Sequence, residues 1–165
     1  GGATALAMPC NTAHHYLPAI RSAVRVPFLD MVELSVAQVA RLVGDDRRVG
    51  ILASPAVRKI GLFDERLARI DIQTTYPTEE SAMLAAIRQI KTSGPGPDTF
   101  AILRAASEEL LQRGARVQMI ACTEFSLVPG ATATSATAFD TLDVLVRAIK
   151  DYAMQPLAPA DRPKN

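Results

Sequence analysis

The chain has 165 residues, of which 48% are hydrophobic and 21% are charged, a composition that predicts a globular protein and excludes disorder or collagen-like order. The formal net charge is +1 with no dense basic block, so neither nucleic acid nor a membrane surface is an expected partner. No apolar run approaches the roughly 20 residues that span a bilayer, and no signal-peptide pattern is present. A cytoplasmic location is therefore expected.

The N-terminal part predicts two strand–helix units. An apolar run over residues 3–8 predicts a strand, and a helical pattern follows over residues 13–24. Residues 26–29 predict a short second strand. The next helix carries valines at i, i+4, i+7 and i+11, the spacing of one helix face. These valines are Val32, Val36, Val39 and Val43.

The third unit begins with a compact apolar run over residues 49–53, which predicts a strand. Ser54 is expected to cap the following helix, with Pro55 in its first position. We expect that single helix to continue through Gly61 as far as Ala68.

Two more helices follow. Residues 70–75 alternate as a strand does, and Thr78 is expected to open a helix. The apolar stripe of that helix is Met83, Ile87 and Ile90. Residues 94–97, Gly-Pro-Gly-Pro, cannot continue a helix and predict a loop. Asp98 is expected to cap the next helix, which ends at Gly114.

The last elements are a strand and a helix. Residues 117–121 predict a strand, and the spacing Thr137-x-x-Asp140 predicts the start of the final helix. The apolar face of this helix would carry Phe139, Leu142, Leu145 and Ile149. Three prolines predict a frayed tail, namely Pro156, Pro159 and Pro163.

Strands that alternate with helices predict an α/β fold with mostly parallel sheets and helices on their faces. Ligands in such folds bind at the carboxyl ends of the strands. Cys10 and Cys122 each follow a predicted strand, so both are expected at such an edge. A thiol in the turn before a helix lies near free N–H groups and the positive end of the helix dipole, which favours the thiolate.

Several interpretations of Cys10 and Cys122 compete. A disulfide is disfavoured in a reducing compartment, and a zinc site using Cys10 and His14 lacks a Cys-x-x-Cys pair to complete it. Buried structural thiols are the ordinary alternative. If the two strand ends face each other, one thiolate could remove a proton from a carbon while the opposite thiol returns another, which inverts the configuration.

The residues around both cysteines resemble the aspartate/glutamate racemase superfamily, and most closely its aspartate racemases. The resemblance is carried by two motifs. The first is residues 8–14, Met-Pro-Cys-Asn-Thr-Ala-His. The second is residues 122–124, Cys-Thr-Glu, which are preceded by Gly114-Ala115 and an apolar strand. Residues 26–31, 49–54 and 90–91 support it. It covers the chain from Gly1 to about Tyr152.

The resemblance implies a racemase of an acidic amino acid, with aspartate as the favoured substrate, that needs neither pyridoxal phosphate nor a metal. Cys10 and Cys122 would be the paired acid and base. Six further residues are implied at the substrate, namely Asn11, Thr12, Ser54, Lys91, Thr123 and Glu124. The resemblance also implies two similar flavodoxin-like lobes, each a parallel sheet flanked by helices, and a homodimer whose ligand is a small amino acid or diacid.

Two departures from the family pattern stand out. Residues 54–57, Ser-Pro-Ala-Val, replace the usual Thr followed by a Gly-Thr pair, which leaves the substrate open. The first two βα units, with their Gly-rich turn and substrate-binding arginine, have no counterpart, so we expect the first lobe to be incomplete at its N-terminus. Residues 1–25 and 132–165 are assigned to that lobe and residues 26–131 to the second.

Alternative hypotheses remain at this point. The same fold could support a cysteine-dependent decarboxylase or a cis-trans isomerase of small diacids, or a degenerate module that only binds amino acids. Among the individual residues, His14 is expected to cap its helix or bond a carbonyl rather than act in catalysis. Lys91 and Glu124 have an alternative role as partners of helix dipoles.

Overall fold

The computed structural model describes residues 2–155 and shows the predicted α/β fold, with parallel sheets flanked by helices. The predicted frayed tail lies outside the described residues. Within residues 2–155, no helix has both the length and the apolar character required to cross a bilayer.

The first sheet has two parallel strands, β1 (Leu6–Ala7) and β2 (Phe28–Leu29). The connection between them contains a 3₁₀ turn over Thr12–Tyr16 and helix α1 (Leu17–Ala23). Both strands are shorter than the predicted runs, but they occupy the predicted places. This sheet positions the loop that carries Cys10.

The second sheet has four parallel strands in the order β4-β3-β5-β6. Their bounds are Arg48–Leu52 for β3, Gln73–Thr75 for β4, Val117–Ile120 for β5 and Thr137–Asp140 for β6. Thus β3 and β5 are central, and Ile51 is paired with Met119 in their register. The carboxyl end of β5 leads directly to Cys122.

Helices cover both faces of the larger sheet. Their bounds are Met31–Leu42 for α2, Pro55–Lys59 for α3, Asp64–Ala68 for α4, Glu80–Ser93 for α5, Pro97–Gln112 for α6 and Thr141–Met154 for α7. Successive strand residues face opposite sides, so Ile51 joins the core beside α2 and α4, whereas Leu52 joins the core beside α5 and α6. The first core includes Val39, Val57, Phe63, Leu67 and Met119, and the second includes Met83, Ile87, Leu103, Leu110 and Phe125.

The strand pairing bears on the predicted lobes. β2, at residues assigned to the second lobe, pairs with β1, and β6, at residues assigned to the first lobe, pairs with β5. Each sheet therefore takes one strand from across the predicted boundaries at residues 26 and 132. The division into two lobes itself stays a prediction.

Four predicted helix boundaries are wrong, the first being the start of α5, where Glu79 and not Thr78 precedes the first turn. The single helix over residues 55–68 is two short helices, α3 and α4, because the chain turns at Gly61 with a φ of +62°. The final helix begins at Thr141, since Thr137–Asp140 is the edge strand β6 and Asp140 caps α7 by accepting from the Leu142 N–H. Gly96, not Asp98, precedes the first turn of α6. The helix stop at Gly114, with a φ of +82°, is confirmed.

Candidate active site

A cleft of about 850 Å³ opens at the carboxyl ends of the central strands. Four segments line it: the loop after β1, helix α3 with the residue before it, one face of α5 and the loop after β5. The cleft brings together all the residues singled out from the sequence. They are Cys10, Asn11, Thr12, Ser54, Lys91, Cys122, Thr123 and Glu124.

Neither Cys10 nor Cys122 is in a disulfide. Across residues 2–155, no three His, Cys, Asp or Glu side chains lie close enough together to share a metal ion. Cys10 is exposed in the cleft and Cys122 is half-buried. The two thiols therefore reach the same cavity from different sheets.

The Cys122 thiol is held in its protonated form. Burial raises the pKa of Cys122 to about 12, and the neighbouring Glu124 carboxylate adds to this effect by accepting a hydrogen bond from Sγ at 3.0 Å and by its negative charge. The expectation of a dipole-stabilised thiolate is wrong for this residue. The element that follows is only a three-residue 3₁₀ turn, Phe125–Leu127, which supplies little of the dipole of a full helix.

Glu124 links the thiol to Lys91. Its Oε2 accepts from Cys122, and its Oε1 lies 3.1 Å from Lys91 Nζ. Partial burial opposes ionisation, but the hydrogen bonds from the Cys122 thiol, the backbone and Lys91 hold the pKa of Glu124 below its usual value. Glu124 is therefore a carboxylate that contacts both a proton donor and a cation.

Lys91 is the cationic residue of α5 that lines the cleft. The hydrogen bond and charge of Glu124 raise the pKa of Lys91 above its usual value, and either cysteine acts in the same direction when it is ionised. Lys91 thus lies within electrostatic range of both cysteines. Lys91 lies in the last turn of α5, where it could interact with the helix dipole. Its contact with Glu124 places its ammonium group in the site as well.

His14 fixes the loop that carries Cys10. It is buried, and its Nδ1 lies 2.8 Å from the Cys10 carbonyl oxygen. The Met31 N–H donates to Nε2 at 3.2 Å, so Nε2 carries no proton and Nδ1 donates to the carbonyl. The prediction that His14 bonds a carbonyl is confirmed. The ring ties the Cys10 loop to the first turn of α2.

Asn11 presents an unpaired acceptor. It is 3% exposed, and its Nδ2 donates to Thr141 Oγ1 at 3.0 Å. Thr141 Oγ1 in turn donates to the Ile120 carbonyl at the end of β5. Among the described residues, Asn11 Oδ1 is buried without a hydrogen-bond partner. A buried acceptor left unpaired is costly unless a ligand satisfies it.

Ser54 occupies the predicted position before α3, with Pro55 in the first turn, but its hydroxyl makes no capping hydrogen bond. Sequence reasoning missed eight other residues that line the cleft. They are Pro55, Ala56, Arg58, Lys59, Glu80, Leu84, Ile87 and Ala121. A signal was present, because residues 80, 84, 87 and 91 have the spacing of one helix face. The adjacent face, with Met83 and Ile90, is the buried one.

The sequence matches a known protein family, and the fold is similar to that of solved structures. A family model described as Asp/Glu/Hydantoin racemase matches residues 1–149. The fold is similar to that of Picrophilus torridus aspartate racemase, with a TM-score of 0.74, 22% identity and coverage of 96% of this chain and 66% of that one.

Two further solved structures show the same fold. An aspartate racemase homologue from Pyrococcus horikoshii OT3 has a TM-score of 0.73 at 20% identity, covering 93% of this chain and 68% of that one. A glutamate racemase isoform from Bacillus anthracis has a TM-score of 0.69 at 12% identity, covering 90% and 57%. The chain thus spans about two thirds or less of the length of these proteins.

Proposed function

Because the chain belongs to the Asp/Glu/hydantoin racemase family, we propose that it inverts the α-carbon of an acidic amino acid, with aspartate as the first substrate to test. The proposed acid and base are the thiols of Cys10 and Cys122, and no pyridoxal phosphate takes part. The observation that carries the proposal is that two free cysteines from different sheets line one cleft.

The protonation of Cys122 supports a direction for the first half-reaction. With Cys122 as the proton donor, the two-base reaction requires Cys10 to be the base that removes the Cα proton, so that an S–H bond forms as the C–H bond breaks. Cys122 then gives its proton to the opposite face of the carbanion. The step leaves Cys10 as the thiol and Cys122 as the thiolate, which is the arrangement that accepts the other enantiomer.

The reverse direction requires a thiolate at Cys122, and two neighbours bear on its formation. Glu124 Oε2 is already in contact with Sγ, and its negative charge opposes the thiolate that remains when Cys122 has given its proton to the carbanion. Lys91 lies within electrostatic range of both thiols, so its positive charge offsets whichever thiolate is present. We assign Lys91 and Glu124 this role in setting charge at the site, in addition to the substrate contacts that the family resemblance implies.

The loop residues supply the substrate contacts. Asn11 Oδ1 is a buried acceptor suited to the substrate ammonium group, and Thr141 fixes the orientation of the amide. Thr12, Ser54 and Thr123 add hydroxyl groups to the lining of the same cleft, where they can donate to a carboxylate. We propose this binding set together with a homodimeric state and a cytoplasmic location.

Solvent exchange tests the mechanism. The full-length protein is incubated separately with L-aspartate and D-aspartate in deuterated water, followed by chiral chromatography and mass analysis. Each enantiomer should convert to the other with one deuterium at Cα, and a carbonyl reagent that traps pyridoxal phosphate should leave the rate unchanged. Inversion without deuterium would overturn the two-thiol mechanism, and release of carbon dioxide would favour the decarboxylase alternative.

A further inference from the structure

The cleft extends well beyond the two cysteines along helix α5. Glu80, Leu84, Ile87 and Lys91 line it from successive turns of one helix face. Glu80 and Lys91 are eleven positions apart in the sequence, and an α-helix rises 1.5 Å per residue, so their Cα atoms are about 16 Å apart. Lys91 contacts Glu124 beside Cys122, whereas Glu80 marks the opposite end.

The two ends differ in charge. At the thiol end, Lys91 and Glu124 form an ion pair and neutralise each other. At the far end, Arg58 and Lys59 line the cleft with Glu80, and Arg58 Nη1 lies 2.7 Å from Glu80 Oε1. Within residues 2–155, Lys59 has no acidic side chain within ion-pair distance. Two cations and one carboxylate leave the far end with one unbalanced positive charge.

Arg58 is oriented by its surroundings. Its guanidinium lies over the Tyr76 ring, 5.6 Å from the centroid, and bonds Glu80 through Nη1. The planar group has further N–H donors on Nε and Nη2, which suit a carboxylate. Between the two ends, the wall is formed mainly by apolar side chains, namely Pro55, Ala56, Leu84 and Ile87.

We propose that Lys59 and Arg58 form a second anion subsite that binds the distal carboxylate of an amino dicarboxylic acid with a side chain longer than that of aspartate. The inference rests on the proposed function, because it places the amino-acid head between the thiols. The methylene chain would lie on the apolar wall formed by Leu84 and Ile87. Each added methylene carries the distal carboxylate further from the Lys91 end and closer to Lys59.

A series of substrates of increasing length tests this subsite. The kcat/KM of the full-length protein is measured for aspartate, glutamate, 2-aminoadipate and 2-aminopimelate. The same series is measured for Lys59→Gln and for Lys150→Gln, a matched change at an exposed lysine of α7 outside the cleft. In Lys59→Gln, the ratio of kcat/KM for 2-aminopimelate to that for aspartate should fall about tenfold, mainly through KM.

Two outcomes overturn the subsite. An equal loss for every chain length would place Lys59 at the reacting end, and no change in the ratio relative to Lys150→Gln would show that Lys59 binds no carboxylate. A separate binding measurement is independent of turnover. In a protein that carries Cys10→Ala and Cys122→Ala, calorimetry should show about tenfold weaker binding of 2-aminopimelate when Lys59→Gln is added. This experiment can support or overturn the subsite even if the protein racemises nothing.

Discussion

The Cys122 thiol donates a hydrogen bond to the Glu124 carboxylate across 3.0 Å, and the other oxygen of that carboxylate is 3.1 Å from Lys91 Nζ. Two features then keep the proton on sulfur, burial of the thiol and the negative charge beside it. The same contact lowers the pKa of Glu124, because the thiol hydrogen bond stabilises the carboxylate. In the pair formed by Cys122 and Glu124, the shared proton therefore stays on the sulfur, and Glu124 stays ionised.

Changing Glu124 to Gln should lower the pKa of Cys122. The amide removes the negative charge next to the thiol, while burial of the sulfur remains, so the pKa should fall from about 12 without reaching the value of an exposed cysteine. In a Cys10→Ser background, iodoacetamide should alkylate Cys122 about tenfold faster at pH 8.5, because only the thiolate reacts. Glu108→Gln, at an exposed residue outside the cleft, should leave the rate unchanged. A slower reaction in Glu124→Gln would contradict this electrostatic account.

Each cysteine should be indispensable for inversion. Cys10→Ala and Cys122→Ala each remove one of the two opposed proton-transfer groups, so each should slow racemisation of aspartate by about 10²-fold or more. The remaining thiol should still exchange the Cα proton of one enantiomer without inverting it. Chiral chromatography and deuterium incorporation measure the two effects separately. Full activity in either variant would instead fit a reaction that uses a single cysteine.

Much of the fold could be predicted, since the strands and α2 have strong local patterns. The valine stripe of α2 lies on one face, and Val36 and Val39 are buried as that spacing requires. Thr137–Asp140 could not be predicted in the same way. Its sequence has the spacing of a helix start, but its backbone pairs with β5, and a tertiary pairing of this kind overrides local preference.

Some features of the candidate site could likewise be predicted from the sequence, and others could not. The loops of Cys10 and Cys122 could be located, because a strand followed by a polar turn marks the ligand-binding edge of a parallel sheet. The protonation of Cys122 could not be predicted, since it depends on how deeply the thiol is buried and on which way the Glu124 carboxylate points. The sequence predicted one continuous helix around Arg58 and Lys59 and gave no sign that they belong to the site. In the structure α3 ends at Lys59, and both residues line the cleft.

Tyr76 should make the fold sensitive to alkaline pH. Burial, together with the charge of Asp64 and the hydrogen bond to it at 2.8 Å, raises the pKa of Tyr76 above its usual value. An unfolded tyrosine ionises near pH 10, so the stabilisation is fully present below about pH 10 and is lost as the pH rises beyond it.

Tyr76→Phe isolates this contribution. At pH 7 the variant should be less stable by roughly 1–3 kcal/mol, because Asp64 loses a hydrogen bond. Between pH 9 and pH 11 its urea midpoint should fall less steeply than that of the wild type. Tyr16→Phe is the matched control, since Tyr16 is 66% exposed. Equal slopes for the wild type and Tyr76→Phe would show that the buried hydroxyl does not govern the alkaline loss.

Gly50 should tolerate no side chain. It lies on β3, and a Cβ there would meet Leu110 Cδ1 at 2.9 Å, with Gln118 Cγ at 3.2 Å and Ala115 Cβ at 3.3 Å. Leu110 and Gln118 are themselves fully buried, so neither can move away without disturbing the packing between α6 and the sheet.

We expect Gly50→Ala to lower the free energy of unfolding by about 1–3 kcal/mol, the usual cost of overpacking a core. Gly44→Ala provides the control, because a Cβ at Gly44 would have no atom within 4 Å. Urea unfolding of both variants at one pH gives the comparison. A Gly50→Ala protein as stable as Gly44→Ala would mean that α6 shifts freely on the sheet. The close approach of Leu110 to Gly50 and the hydrogen bond from Gln118 Nε2 on β5 to the Ser107 carbonyl on α6 argue against this.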